Sequence, residues 1–254
     1  MIFVMNIGNT NISSGLYKEK KLVSSWRTAA DRGKTEDDFG LQLLSLLQSA
    51  QVSKDSVEGV IISSVVPPLV FPVKQACKKY LGCDPLIIGP GIKTGLNIRY
   101  ENPREVGADR IVNAVAALQE QNGPFIIVDF GTATTFCYVD GNNQYIGGII
   151  SPGLNISAEA LYEQAAKLPR VELKKPAGLI GRNTIDAMHS GIYYGHAAMV
   201  DGIIRRIKKQ VGENAFVIAT GGIAPFISKA SETIDKVDAY MTLHGLSIIY
   251  EKNK

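Results

Sequence analysis

Two groups of residues have the types and spacing to do chemistry on a phosphate. Gly107-Ala108-Asp109-Arg110 places a carboxylate beside a fixed cation, after two small residues that leave room for a ligand to lie close. An alcohol attacking a γ-phosphate must lose its proton, and a carboxylate within hydrogen-bond reach can take it. Glu105 stands one helical turn before Asp109, and if both faced one cleft their repulsion would raise one pKa. Residue types alone favour the alternative, a structural ion pair between Asp109 and Arg110. The second group is a polar turn closing an apolar run. Ile2-Phe3-Val4-Met5 leads into Asn6-Ile7-Gly8-Asn9-Thr10-Asn11, where Gly8 admits a ligand to the backbone and the following amides and side chains can donate to anionic oxygens. Asn6 is out of character there. A phosphate turn that also carries Mg²⁺ usually ends its strand in a carboxylate, because hard cations prefer charged oxygen ligands.

The same arrangement occurs twice. Phe125-Ile126-Ile127-Val128-Asp129-Phe130-Gly131-Thr132 is again an apolar run, a polar residue, one residue and a glycine, so that Asn6 answers to Asp129 and Gly8 to Gly131 at a common offset of 123 residues. The elements that must position these turns repeat as well. Residues 2–7, 11–17 and 21–28 alternate as strands, and the Lys-rich stretch 18–21 makes a hairpin turn. Thr35 with Asp38 opens a helix whose Phe39, Leu43, Leu46 and Leu47 form one face. Strand 60–62, a helix over 69–80 and strand 86–88 follow. Asn102-Pro103-Arg104-Glu105 combines an N-cap, a Pro at the first helical position and a Glu at the third, which predicts a helix from there through Ala117. After Gly123-Pro124 come strands 125–130, 134–139 and 144–150, helices over 156–166 and 184–210, strand 216–219 with Thr220-Gly221-Gly222, a short helix, a strand near 236–238 and a last helix from Thr242. The pattern is βββαβαβα in each half, with a boundary between residues 118 and 119, and the two turns are expected to face each other across a central cleft.

Other chemistries are excluded or weakly supported. Gly89-Pro90-Gly91-Ile92-Lys93-Thr94 has the wrong glycine spacing for a Walker loop, and Gly95 comes one residue late for a dinucleotide fingerprint. It reads as a loop carrying Lys93 and Tyr100 toward a site, or equally as a surface loop. His189 and His196 stand seven residues apart, too far for one ion. A net charge of +3 makes no case for nucleic acid or acidic lipid. No apolar run approaches a membrane span, and Cys77, Cys83 and Cys137 show no framework or metal spacing, which favours the reducing cytoplasm.

Taken together, Asn6-Ile-Gly-Asn-Thr, Ser63-Ser-Val-Val-Pro-Pro, Gly89-Pro-Gly-Ile-Lys-Thr-Gly-Leu-Asn, Asn102-Pro-Arg-Glu-Val-Gly-Ala-Asp-Arg, Val128-Asp-Phe-Gly-Thr-Ala-Thr-Thr, Ser151-Pro-Gly, Ala166-Lys-Leu-Pro and Ala219-Thr-Gly-Gly resemble the type III pantothenate kinases over effectively the whole chain. The resemblance implies the duplicated actin-like ATPase fold, two ribonuclease-H-like α/β domains of the acetate and sugar kinase, Hsp70 and actin superfamily, with ATP between them. It implies phosphorylation of pantothenate to 4′-phosphopantothenate, the first step toward coenzyme A, by a cytoplasmic homodimer. By the same resemblance Asn6, Ile7, Gly8, Asn9, Thr10, Asn11, Ile12, Ser13 and Thr132 hold ATP, and Asp109 is the proton acceptor. Tyr100, Gly107, Ala108, Asp109, Arg110 and Thr184 hold pantothenate, Asp129 binds potassium or ammonium, and Mg²⁺ enters with ATP. The chain departs from the family pattern at position 6, where that pattern has Asp. The amide keeps the shape and removes the charge, so reduced activity is expected. The alternative is a catalytically silent paralogue that binds ligand and regulates.

Overall fold

A computed structural model describes residues 1–120 and 122–254. The chain forms two compact units. The first comprises Met1–Leu96, Tyr100–Glu120 and Met241–Lys254, and the second Asn97–Arg99 and Gln121–Tyr240.

In the first unit β1 (Ile2–Ile7), β2 (Asn11–Lys18) and β3 (Lys21–Ala29) form an antiparallel meander, and β4 (Gly59–Ser64) and β5 (Leu86–Ile87) add in parallel to give the order β3-β2-β1-β4-β5. The central strands β1 and β4 are apolar up to their polar ends, Asn6 and Ser63-Ser64, because both their faces are covered. Phe3, Met5, Ile7, Val60 and Ile62 pack on one face beneath α1 (Glu36–Ser49) and α2 (Pro67–Ala76). Helix α1 starts where the sequence predicts, in a capping box of Thr35 with Asp38. Ile2, Val4 and Ile61 pack on the other face, with Val112 and Val115 of α3 (Ala108–Glu120) and Leu243, Leu246 and Ile249 of α7 (Met241–Asn253). The sequence-based division gives this last helix to the second half. Its apolar stripe is instead buried in the first unit, where Thr242 also donates to Asn113 at 2.7 Å. The end of α7 holds the loop after β5: Asn253 accepts from Lys93 N at 2.9 Å and donates to Lys93 O at 2.9 Å, and Lys252 donates to Thr94 O at 3.0 Å.

The second unit repeats the plan. Strands β7 (Phe125–Phe130), β8 (Ala133–Val139) and β9 (Gln144–Pro152) form the meander, and β10 (Phe216–Thr220) and β11 (Lys236–Val237) run parallel to β7. The order is β11-β10-β7-β8-β9-β6, the extra edge strand β6 (Asn97–Ile98) pairing with β9. This two-residue strand is too short to leave a periodic signal in the sequence. Ile126, Val128, Phe136 and Val217 pack against Leu154 of α4 (Leu154–Gln164), Tyr193, Ala197, Val200 and Ile204 of α5 (Thr184–Val211), and Ala224 and Ile227 of α6 (Ala224–Ile227). Asp201, buried in α5, accepts from Ser231 Oγ, Thr233 Oγ1 and Glu232 N at 2.5, 2.7 and 3.0 Å. Burial pushes its pKa up, and these bonds more than reverse that and hold it low.

Candidate active site

At the end of β1 the chain turns through Gly8, Asn9 and Thr10, and Gly8 N–H closes the turn on Asn11 O at 3.0 Å. Ile7 and Ile12 are buried in the core, so only their backbone can meet a ligand, whereas Asn9 and Thr10 are exposed at the tip. Asn6 pairs with Ser13 on β2 and with Ser63 on β4. Paired residues project from the same face of a sheet, here the face of Val4 and Ile61 that α3 and α7 cover. The start of α3 lies at the end of that face: a Cβ built on Gly107 would stand 3.8 Å from Val65 Cγ1, just past β4.

The predicted helix from Asn102 begins later. Asn102 does cap, accepting from Arg104 N at 3.3 Å and donating to Glu105 Oε1 at 2.8 Å, but it caps a single 3₁₀ turn, Pro103–Glu105. The chain is extended at Val106, and α3 starts only at Ala108. This break puts Asp109 in the first turn of α3, half-buried, with Oδ1 accepting from Arg110 N at 2.8 Å. Burial raises its pKa, and the Arg110 hydrogen bond and charge offset part of that rise. Repulsion from Glu105 contributes nothing, because that exposed carboxylate is turned to Asn102. Among the described residues Asp109 and Arg110 form no ion pair, which leaves the carboxylate open to a ligand. Gly107 keeps it so, since a Cβ there would stand 2.7 Å from Asp109 Oδ1. Tyr100, in the same unit, is half-buried.

In the second unit β7 ends at Asp129-Phe130 and turns through Gly131 and Thr132, with Gly131 N–H closing on Ala133 O at 3.1 Å. Asp129 pairs with Thr135 on β8 and with buried Thr220 on β10. Gly221 follows at φ +95°, and a Cβ on it would stand 2.5 Å from Phe130 O and 2.8 Å from Asp129 Oδ1. A carbonyl and a carboxylate oxygen thus converge over a residue that has to be glycine. Thr132 is exposed at the turn. Next to this turn Thr134 Oγ1 and His196 Nε2 of α5 share a buried hydrogen bond of 3.0 Å, and burial holds the His196 pKa low. Thr184 opens α5 beside its N-cap, Asn183, which accepts from Asp186 N at 2.8 Å. It lines a cavity of about 650 Å³ between α4 and α5, together with Leu154, Leu161, Met188, Ile192 and His196.

These two turns, a half-buried carboxylate at the start of a helix and a duplicated α/β plan suit phosphoryl transfer, and the comparisons with known proteins say which kind. A sequence model of the family Type III pantothenate kinase matches residues 2–206. The chain belongs to the type III pantothenate kinases. It is 58% identical to a type III pantothenate kinase of an Exiguobacterium species over 254 residues, all of both chains. Solved structures similar in fold include the ROK hexokinase from Thermus thermophilus, at a TM-score of 0.53 and 13% identity over 99% of this chain and 98% of that one. Another is the activator of the 2-hydroxyisocaproyl-CoA dehydratase from Clostridium difficile with bound ADPNP, at a TM-score of 0.54 and 12% identity over 99% and 96%. The fold is therefore the actin-like ATPase and sugar kinase fold, and the chain is a kinase whose family phosphorylates pantothenate.

Of the residues expected to serve this kinase, the first unit holds the β1–β2 turn, Tyr100 and Gly107–Arg110, and the second holds Asp129, Thr132 and Thr184. Sequence reasoning passed over Ser63, Gly221 as a neighbour of Asp129, and His196 as a partner of Thr134. Each depends on strand register or helix placement. The match of Ser63-Ser64 to Thr220-Gly221 in the repeat was the one available signal. No helix among the described residues is long and apolar enough to cross a membrane, and none of their His, Cys, Asp and Glu side chains gather in threes to hold a metal.

Proposed function

We propose that this kinase phosphorylates the primary hydroxyl of pantothenate with Asp109 as the general base. The observation that carries the reading is Asp109 itself: half-buried, free of an ion pair, raised in pKa by burial, and in the first turn of the helix that covers the sheet face ending in Asn6 and Ser63. A carboxylate in that state accepts the hydroxyl proton as the oxygen attacks the γ-phosphorus and the bond to ADP breaks. Arg110 pairs with the pantothenate carboxylate, while Tyr100, Gly107, Ala108 and Thr184 complete the substrate site. The β1–β2 turn, residues 6–13, and Thr132 hold ATP. Mg²⁺ arrives on the ATP phosphates, which suits a turn whose strand ends in neutral Asn6. Asp129 Oδ1 and Phe130 O, converging over Gly221, are the hard oxygen donors that a potassium or ammonium ion takes. Exposed Ile149, Ile150, Leu179, Ile180 and Ile185 of the second unit give an apolar surface for a homodimer. Three free cysteines suit the cytoplasm.

Steady-state phosphorylation of pantothenate with ATP, Mg²⁺ and potassium is the test. The expected outcome is turnover that Asp109→Asn lowers by about 10²–10⁴-fold while ADP binding persists. The neutral Asn6 favours a second reading, a reduced or silent enzyme that binds ligand and regulates. Normal nucleotide binding without turnover at high Mg²⁺ would establish that reading and refute the first.

A further inference from the structure

Ser63 is fully buried, and its hydroxyl has no hydrogen-bond partner among the described residues. A buried, unpaired hydroxyl destabilises a fold, so one at a strand end beside a ligand turn points to a partner outside the chain or to a group that moves when ligand binds. Its neighbour is fixed by register: Asn6 and Ser63 are a parallel pair on one sheet face, as Asp129 and Thr220 are in the second unit. The chemistry of the two pairs differs. A hydroxyl beside a carboxylate donates to it and leaves an acceptor facing the ligand. Beside a carboxamide, a hydroxyl donating to Oδ1 leaves the two Nδ2 hydrogens facing outward, and these are donors.

We infer that Ser63 is a positioning residue: when nucleotide binds, its unpartnered hydroxyl takes up the Asn6 carboxamide by Oδ1, so that Nδ2 donates to the nucleotide's phosphate oxygens without a divalent cation between them. This rests on the reading of the β1–β2 turn as the nucleotide site. It gives Asn6 a task other than a weakened copy of Asp129. The first turn grips phosphate directly, and the second supplies the negative charge.

Calorimetric titration with ADP, first in excess EDTA and then in Mg²⁺, tests it on the full chain. In EDTA the unaltered protein should bind ADP, and Ser63→Ala should weaken that binding about tenfold, the effect of one hydrogen bond to a charged group, with Tm unchanged or raised because an unpaired hydroxyl has been removed. Asn6→Asp should weaken binding in EDTA at least as much and make it depend on Mg²⁺. In the Asn6→Asp background Ser63→Ala should change affinity in EDTA less than twofold. Equal affinity of Ser63→Ala and the unaltered protein in EDTA would overturn the inference, as would a loss of affinity that tracks a loss of Tm. Both results leave the nucleotide reading standing. Absence of ADP binding by the unaltered protein in either condition would overturn that reading and this inference together.

Discussion

The two halves of this kinase build the same turn from different chemistry. β1 and β7 have the same pattern of burial along their six residues, and in each the fifth is the half-buried polar one, Asn6 or Asp129. Each is flanked by a hydroxyl residue on both neighbouring strands, Ser13 and Ser63 in one case and Thr135 and Thr220 in the other. The first turn is one residue longer, neutral, and in the same unit as the helix that carries Asp109. The second is shorter, charged, and pressed by Gly221. A repeated backbone plan can thus divide one task, with the proposed base and phosphate donors in one copy and a carboxylate at the strand end of the other.

The sharpest way to break this division is at the base. Asp109→Asn should lower kcat by about 10²–10⁴-fold with ADP binding intact. An equal loss on Asp129→Asn, also with binding intact, would mean that the copies share the chemistry. Because burial raises the Asp109 pKa, kcat of the unaltered enzyme should fall as pH drops through a value above the ordinary 3.8 for an aspartate, as a pH–rate profile would record. Next in size is Gly221→Ala, which forces a Cβ into a positive-φ position against Phe130 O and should cost about 3 kcal/mol, measured by denaturant unfolding. Ser64→Ala, at the matching place in the first half, meets no such clash and loses only the hydroxyl's bonds with Val66 N and O, which should cost about 1 kcal/mol. Thr134→Val tests a smaller contrast. Its counterpart opposite the strand end in the first half is Ile12, whereas Thr134 partners His196, so the change strands a buried imidazole at about 1–2 kcal/mol. Smallest is the effect of Asp109→Asn on stability. A carboxyl whose pKa is raised by burial destabilises the fold once the unfolded chain can ionise; the penalty is absent below 3.8, grows as pH rises from there to the shifted value, and is constant above it. The variant should therefore melt slightly above the parent at neutral pH and level with it in acid, a comparison of two melting curves.

Legibility in the sequence followed the range of the interaction. Apolar runs ending in a polar residue and a glycine are local, so both turns and their repeat could be read directly, as could the capping box of α1. The capping signals at Asn102 were real, yet they close a 3₁₀ turn. What ends it is the extended backbone at Val106 and the close approach of Gly107 to Asp109. Whether Asp109 is perturbed by Glu105 or by burial depends on which way two side chains point, and residue spacing does not fix that. Ser63 shows the limit most clearly: its type is ordinary, and only the β1–β4 register and the lack of a partner make it informative. The membership of α7 was hidden for a related reason, since its apolar face fits a helix anywhere in the chain.

That membership bears on how the protein is made. The ribosome emits the earlier segments of the first unit, with Asn97–Arg99 of the second between them, then residues 121–240 of the second, and only afterwards Met241–Asn253. Until those thirteen residues emerge, Ile2, Val4, Ile61 and Val112 lack the covering of Leu243, Leu246 and Ile249, and the 89–96 loop lacks its tie to Lys252 and Asn253. The apolar sheet face of the first unit therefore stays without this cover until the last helix has been made, an exposure set by topology rather than by overall stability.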